Sequence, residues 1–92
     1  MTGSRHELVV APTARRQLAE GLSDSVAFAA YGFITGPLLK NPRRVGKRLR
    51  PPLDDRHSAR RGTYHVIYRV DDQHRRVTVD GVFSRADAYR AR

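Results

Sequence analysis

Apolar and polar positions alternate with period two in the last third of the chain. Over residues 63–70, Tyr64, Val66, Tyr68 and Val70 fall on one face, and His65, Ile67 and Arg69 fall on the other. Residues 76–83 repeat the pattern, with Val77, Val79, Gly81 and Phe83 sharing a face. The Asp71-Asp72-Gln73-His74 stretch between them is a polar turn, so the two strands predict an antiparallel hairpin. Residues 6–11 (HELVVA) are short and β-rich and predict a first strand, which Pro12 ends. The period then lengthens. Thr13 is placed to cap a helix whose face is Ala14, Leu18 and Leu22, with Gly21 as its stop. Ser23 or Asp24 caps a second helix, with Val26, Ala27, Ala30, Tyr31, Phe33 and Ile34 on a wide apolar arc. Gly36-Pro37 interrupts it, and Asn41-Pro42 ends its continuation through Leu38 and Leu39.

Residues 40–61 break both periods. This block holds nine of the eighteen basic residues, three prolines and a glycine, and its only acids are Asp54 and Asp55. It predicts extended or irregular chain with a short strand at 57–61, tacked to the core by Leu49 and Leu53. The order strand, helix, helix, basic block, two or three strands is α+β: an antiparallel sheet of three to four strands with two N-terminal helices packed on one face. Too few apolar residues remain to cover the second face. That face is left for solvent or a partner, and His65 and Arg69 point to it.

Length and composition narrow the function. Ninety-two residues make a single domain spanning 1–92. With no cysteine, disulfides and thiolate metal sites are excluded, which fits a reducing cytoplasm. The four histidines lack metal-ligand spacing, so no metal or cofactor is expected. No apolar run is long enough for a membrane span, and the N-terminus does not read as a signal peptide. Eighteen Lys+Arg against nine Asp+Glu give a net charge of +9, and all but Lys40 and Lys47 of the basic residues are arginine. The guanidinium fork matches phosphate oxygens and stacks on bases, so the balance points to nucleic acid or an acidic partner.

Three stretches together carry a resemblance: GPLLKNPRRVGKRLRPPL at 36–53, SARRGTYHVIYRVDD at 58–72 and SRADAYR at 84–90. In order and spacing the chain resembles a RelE-type toxin of the RelE/ParE superfamily, of the kind found in actinobacterial toxin–antitoxin pairs. The resemblance spans essentially the whole chain and implies the same α+β fold. It implies a ribosome-dependent, metal-independent endoribonuclease that cuts mRNA in the 30S A site. The partners it implies are the ribosome with its mRNA and an acidic RelB-like antitoxin that wraps and inhibits the toxin. In such a reaction the 2′-hydroxyl attacks the adjacent phosphate, leaving a 2′,3′-cyclic phosphate and a 5′-hydroxyl. A base must take the 2′-OH proton, cations must neutralise the phosphate, and a group must serve the leaving oxygen.

Residue by residue, the resemblance assigns the chemistry to Arg61, His65, Arg85 and Tyr89. It assigns RNA contact to Lys47, Arg48, Arg50 and Arg60. Two positions depart from the family pattern. The third residue after Gly62 is usually arginine and here is His65. Asp54-Asp55 stands where a Glu-Gly-like turn is usual. A histidine binds phosphate when protonated or moves a proton itself, and it also fits an attenuated nuclease. Plainer readings stand beside each assignment. Arg60 and Arg61 are explained by a solvated strand end, Arg85 by pairing with Asp80 or Asp87, and Tyr89 by packing on the hairpin. Tyr64 and Tyr68 read as core, His6 and His74 as surface. Two other functions use the same composition: a ParE-like toxin that poisons gyrase by binding, and a basic protein that docks on ribosomal RNA.

Overall fold

The computed structural model describes residues 5–84. The chain runs β1 (Glu7–Val10), α1 (Pro12–Arg16), a π-helical turn (Gln17–Gly21), α2 (Asp24–Thr35), α3 (Pro37–Lys40), β2 (Lys47–Arg48), β3 (His57–Arg61), β4 (Tyr64–Asp71) and β5 (Arg76–Ser84). The strands form one sheet in the order β1-β5-β4-β3-β2. The β2–β3, β3–β4 and β4–β5 pairs are antiparallel, and β1 is parallel to β5. The α+β class and the helices on one face stand as expected. The sheet is larger than the expected three or four strands, and it is mixed. β2 is only two residues long and leaves no period to read. Parallel pairing of the first strand with the last is a long-range choice that local patterns do not report.

The helices begin where the chain chemistry allows. Pro12 occupies the first turn of α1, where its missing N–H costs nothing, and Ala11 rather than Thr13 is the residue before the helix. Ser23 caps α2 as expected, its Oγ accepting from the Val26 N–H at 3.4 Å. Pro37 starts α3 straight after Gly36, so the Gly-Pro pair separates two helices rather than ending helix altogether.

The core lies between helices and sheet. Ala14, Ala30, Phe33, Ile34, Leu38 and Leu39 pack against Ala59, Tyr64, Val66, Tyr68, Val77, Val79 and Val82. Ile34 and Leu38 are fully buried, each contributing about 1.5–3 kcal/mol of burial free energy. The sheet accepts only the narrow arc Ala30, Phe33, Ile34 of α2, so Tyr31 stands 60% exposed instead of joining the core. Leu53, expected to anchor the basic block, is also exposed, and Val45 packs there instead.

The alternation in β4 is as read, with Tyr64, Val66 and Tyr68 buried. In β5 it breaks. Ile67 pairs with Gly81 but Tyr68 pairs with Val79, so Asp80 is an extra residue forming a β-bulge. One extra residue flips everything after it: Val82 and Ser84 turn inward, and Phe83 moves to the open face rather than the core.

Candidate functional site

The tight turn after β3 sets the site. Arg61 pairs with Tyr64, leaving Gly62 and Thr63 as a two-residue connection in which Gly62 has φ +55°. The first residue of such a turn takes a left-handed conformation that glycine adopts without strain. The register that follows aligns Arg60 with His65, and His65 with Phe83. Three adjacent strands thus put a guanidinium, an imidazole and a phenyl ring in one row on the open face.

Arg60 and Arg61, neighbours in sequence, point to opposite faces. Arg61 lies on the helix side, its guanidinium 4.6 Å from the Phe33 ring centroid, and donates to the Arg60 carbonyl at 2.9 Å. A cation over an aromatic face is attracted by the ring quadrupole, which holds Arg61 at the rim of the core. Arg60, exposed, shares the face of His65.

His65 stacks on Phe83 with ring centroids 5.3 Å apart and an interplanar angle of 25°. Desolvation, and then the charge of Arg60, lower its pKa from 6.5, so the neutral imidazole dominates at pH 7. Neutral imidazole accepts a proton; it does not supply a cation.

Beside this row, the loop after α3 folds against β3 and encloses a cleft of about 660 Å³. Lys47, Arg48, Arg50, Arg60 and Arg61 all line it. The loop reaches β3 because residue 46 is glycine: a Cβ there would lie 2.8 Å from the Ser58 carbonyl oxygen and would strike the Tyr68 hydroxyl. That hydroxyl donates to the Pro42 carbonyl. Burial pushes the Tyr68 pKa up to about 12, keeping it a donor. Arg43 clips the same loop to the hairpin tip through Asp72, at 2.6 Å.

The structure therefore gathers Lys47, Arg48, Arg50, Arg60 and Arg61 around one cleft, with His65 next to it across the ladder. Arg85 and Tyr89 lie outside the described residues. Among the described residues, no group of three His, Asp or Glu side chains is close enough to hold a metal ion. Also among them, no helix is long and apolar enough to cross a membrane. Sequence reasoning missed Phe83. The signal was present in the spacing Val77, Val79, Val82, a three-residue step inside a period-two strand.

No family model matches the chain. Individual proteins do. Toxin RelE of Mycobacterium tuberculosis is 44% identical over 85 residues, covering 92% of this chain and 87% of that protein. The chain belongs to the RelE toxin family. Toxin RelG of the same organism is 47% identical over 78 residues, which is 85% of this chain and 88% of RelG. A chain in the crystal structure of the toxin–antitoxin complex RelBE2 from M. tuberculosis superposes with a TM-score of 0.84 at 41% identity, covering 88% of this chain and 99% of that one. The protein is thus a RelE-family toxin of the type II toxin–antitoxin class, and the open sheet face and basic cleft belong to a RelE fold.

Proposed function

We propose that this RelE-family toxin is a ribosome-dependent endoribonuclease that cuts mRNA in the ribosomal A site and stops translation. The observation that carries the reading is the row of Arg60 beside a neutral His65, backed by a cleft lined with six cationic side chains, Arg44 among them. His65 takes the proton of the 2′-hydroxyl. The freed oxygen forms a bond to the adjacent phosphorus, and the P–O5′ bond breaks. Arg60 neutralises charge as it builds on the phosphate oxygens, and Arg61, which lines the cleft from the helix side, adds to the positive field there. Arg85, bonded to the last residue of β5, adds a cation, and Tyr89 protonates the departing 5′ oxygen. Lys47, Arg48 and Arg50 hold the RNA and the ribosomal surface around it. An acidic RelB-like antitoxin fits the net charge of +9 and silences the toxin by covering the cleft.

The test is primer extension on mRNA programmed into purified 70S ribosomes, with the wild type beside Arg60→Ala, Arg85→Ala and Tyr89→Phe. Cuts confined to the A-site codon that fade in the three variants are expected. Intact mRNA with the folded wild type overturns the reading. Gyrase-dependent DNA breaks in its place would reassign the protein to the ParE-like mode.

A further inference from the structure

On the open face of the sheet, Phe83 is out of place. The other large apolar side chains on this face are Ile67 in β4 and Val9 in the edge strand β1, and the Phe83 ring is 39% exposed. Two sequence features put it there. The bulge at Asp80 turns residue 83 outward. Gly81 then gives the ring room to lie down, because a Cβ at 81 would sit 2.7 and 2.8 Å from two ring carbons. The ring is also fixed from the side by the stack with His65. Together they make a rigid apolar plane with Arg60 at its edge and Lys47 one row further along β2. The nearest described carboxylate on the face, Asp80, is held by Arg69 through bonds of 2.8 and 2.7 Å and does not compete for a ligand.

A flat aromatic beside a guanidinium that has no ion pair among the described residues, on the open face of a sheet, is the chemistry that receives an unstacked nucleobase while its phosphate meets the cation. We propose that Phe83, supported by His65 and seated over Gly81, is the base-stacking residue of the RNA site. It accepts one unpaired base of the strand whose phosphate lies against Arg60. The inference rests on the RNA reading above for the identity of the strand. It assigns to the site a binding element that the resemblance to the family did not indicate.

The test uses a short single-stranded RNA with 2-aminopurine at one position and the same strand with an abasic site there. Wild-type protein, Phe83→Leu, Phe83→Trp and Gly81→Ala are titrated, and each is checked for folding by thermal melting. The wild type and Phe83→Trp are expected to quench the 2-aminopurine. They should prefer the base-bearing strand by roughly 5- to 100-fold. Phe83→Leu keeps the apolar cover over Gly81 but should lose the preference, and it should keep the salt dependence that the arginines set. Gly81→Ala keeps the phenylalanine but displaces the ring, and should lose it too. Equal binding of both strands by the wild type, or full preference in Phe83→Leu, overturns the proposal. The two readings separate on programmed ribosomes. Base preference without mRNA cleavage would fail only the nuclease reading. Cleavage by Phe83→Leu at the wild-type rate, without base preference in any protein, would fail only this one.

Discussion

The open face of the sheet carries two arginine-bearing rows that differ in one carboxylate. Near the 71–76 connection, Arg69 grips Asp80 with two short bonds, and Arg56 Nε lies 3.7 Å from the same carboxylate. Near the Gly62 turn, Arg60 faces His65 and Phe83 and has no ion pair among the described residues. Four residues of extended chain, about 13 Å, separate Arg69 from His65. The first row is internally neutralised and closes the face. The second leaves its charge unspent beside a neutral base and a flat ring. Basic composition alone treats these arginines as equal; the pairing partner decides which of them meets an anion from outside.

The largest effect that tests this contrast is loss of the base. His65→Ala should lower A-site cleavage on the order of 10²- to 10⁴-fold. The wild-type rate should rise with pH through a limb centred below 6.5 and then level, because burial and Arg60 lower the His65 pKa. A limb above 6.5, or none, in a pH series on programmed ribosomes would remove His65 from the role. Next is the cation. Arg60→Ala should cost roughly 10- to 100-fold in cleavage, whereas Arg69→Ala, in the paired row, should leave it within about twofold. Equal losses in both variants would erase the distinction between the rows.

A smaller effect comes from converting one row into the other. Asp80→Asn keeps the bulge residue's shape and removes its charge. Arg69 and Arg56 are then released, so single-stranded RNA should bind a few-fold more tightly. The salt slope should steepen by about 0.7 for each cation recruited. An unchanged slope in a filter-binding series would mean the second row is silent for reasons other than Asp80.

How much of this was legible depended on the range of each interaction. The inward face of β4 was readable because Tyr64, Val66 and Tyr68 follow a strict period of two with no irregularity. Ser23 was readable as a cap because a side-chain acceptor just before an apolar arc is a local signal. The split between Arg60 and Arg61 follows from strand parity once His57–Arg61 is accepted as a strand. Which of them meets His65 also needs the two-residue turn at Gly62. Phe83 was misplaced because parity was carried through Asp80, where the ladder gains a residue. The parallel pairing of β1 with β5 joins Leu8 to Val77 across most of the chain, and no window of sequence contains both. The basic cleft lay between these cases. Its residues were all in one block, but its walls depend on Gly46 admitting the loop to within touching distance of Ser58 and Tyr68.

The smallest effect concerns the layer beneath the two rows. His57 is buried on the inner face, stacked on Tyr68 at 5.5 Å, with its Nδ1 lacking a hydrogen-bond partner among the described residues. Desolvation, then the charges of Arg43 and Arg48, lower its pKa from 6.5. The unfolded chain therefore binds a proton before the folded one does. Stability is full above pH 6.5, declines as pH falls toward the lowered folded value, and levels below it. His65 acts in the same direction, so the two must be separated. His57→Phe keeps the ring against Tyr68 and should flatten its share of the decline in urea titrations between pH 7 and 5, while His65→Phe should remove the remainder. Asp71, lowered from 3.8 mainly by its hydrogen bond with His74, titrates at lower pH and does not overlap. Because Arg43 and Arg48 flank His57, protonating it loads a third positive charge under the loop that carries Lys47. Amide protection factors at residues 44–48, corrected for the slower intrinsic exchange at lower pH, should therefore fall on acidification before those at residues 78–80 do. The reverse order would place the weak point under the paired row, and the basic cleft would then be the more firmly held half of the molecule.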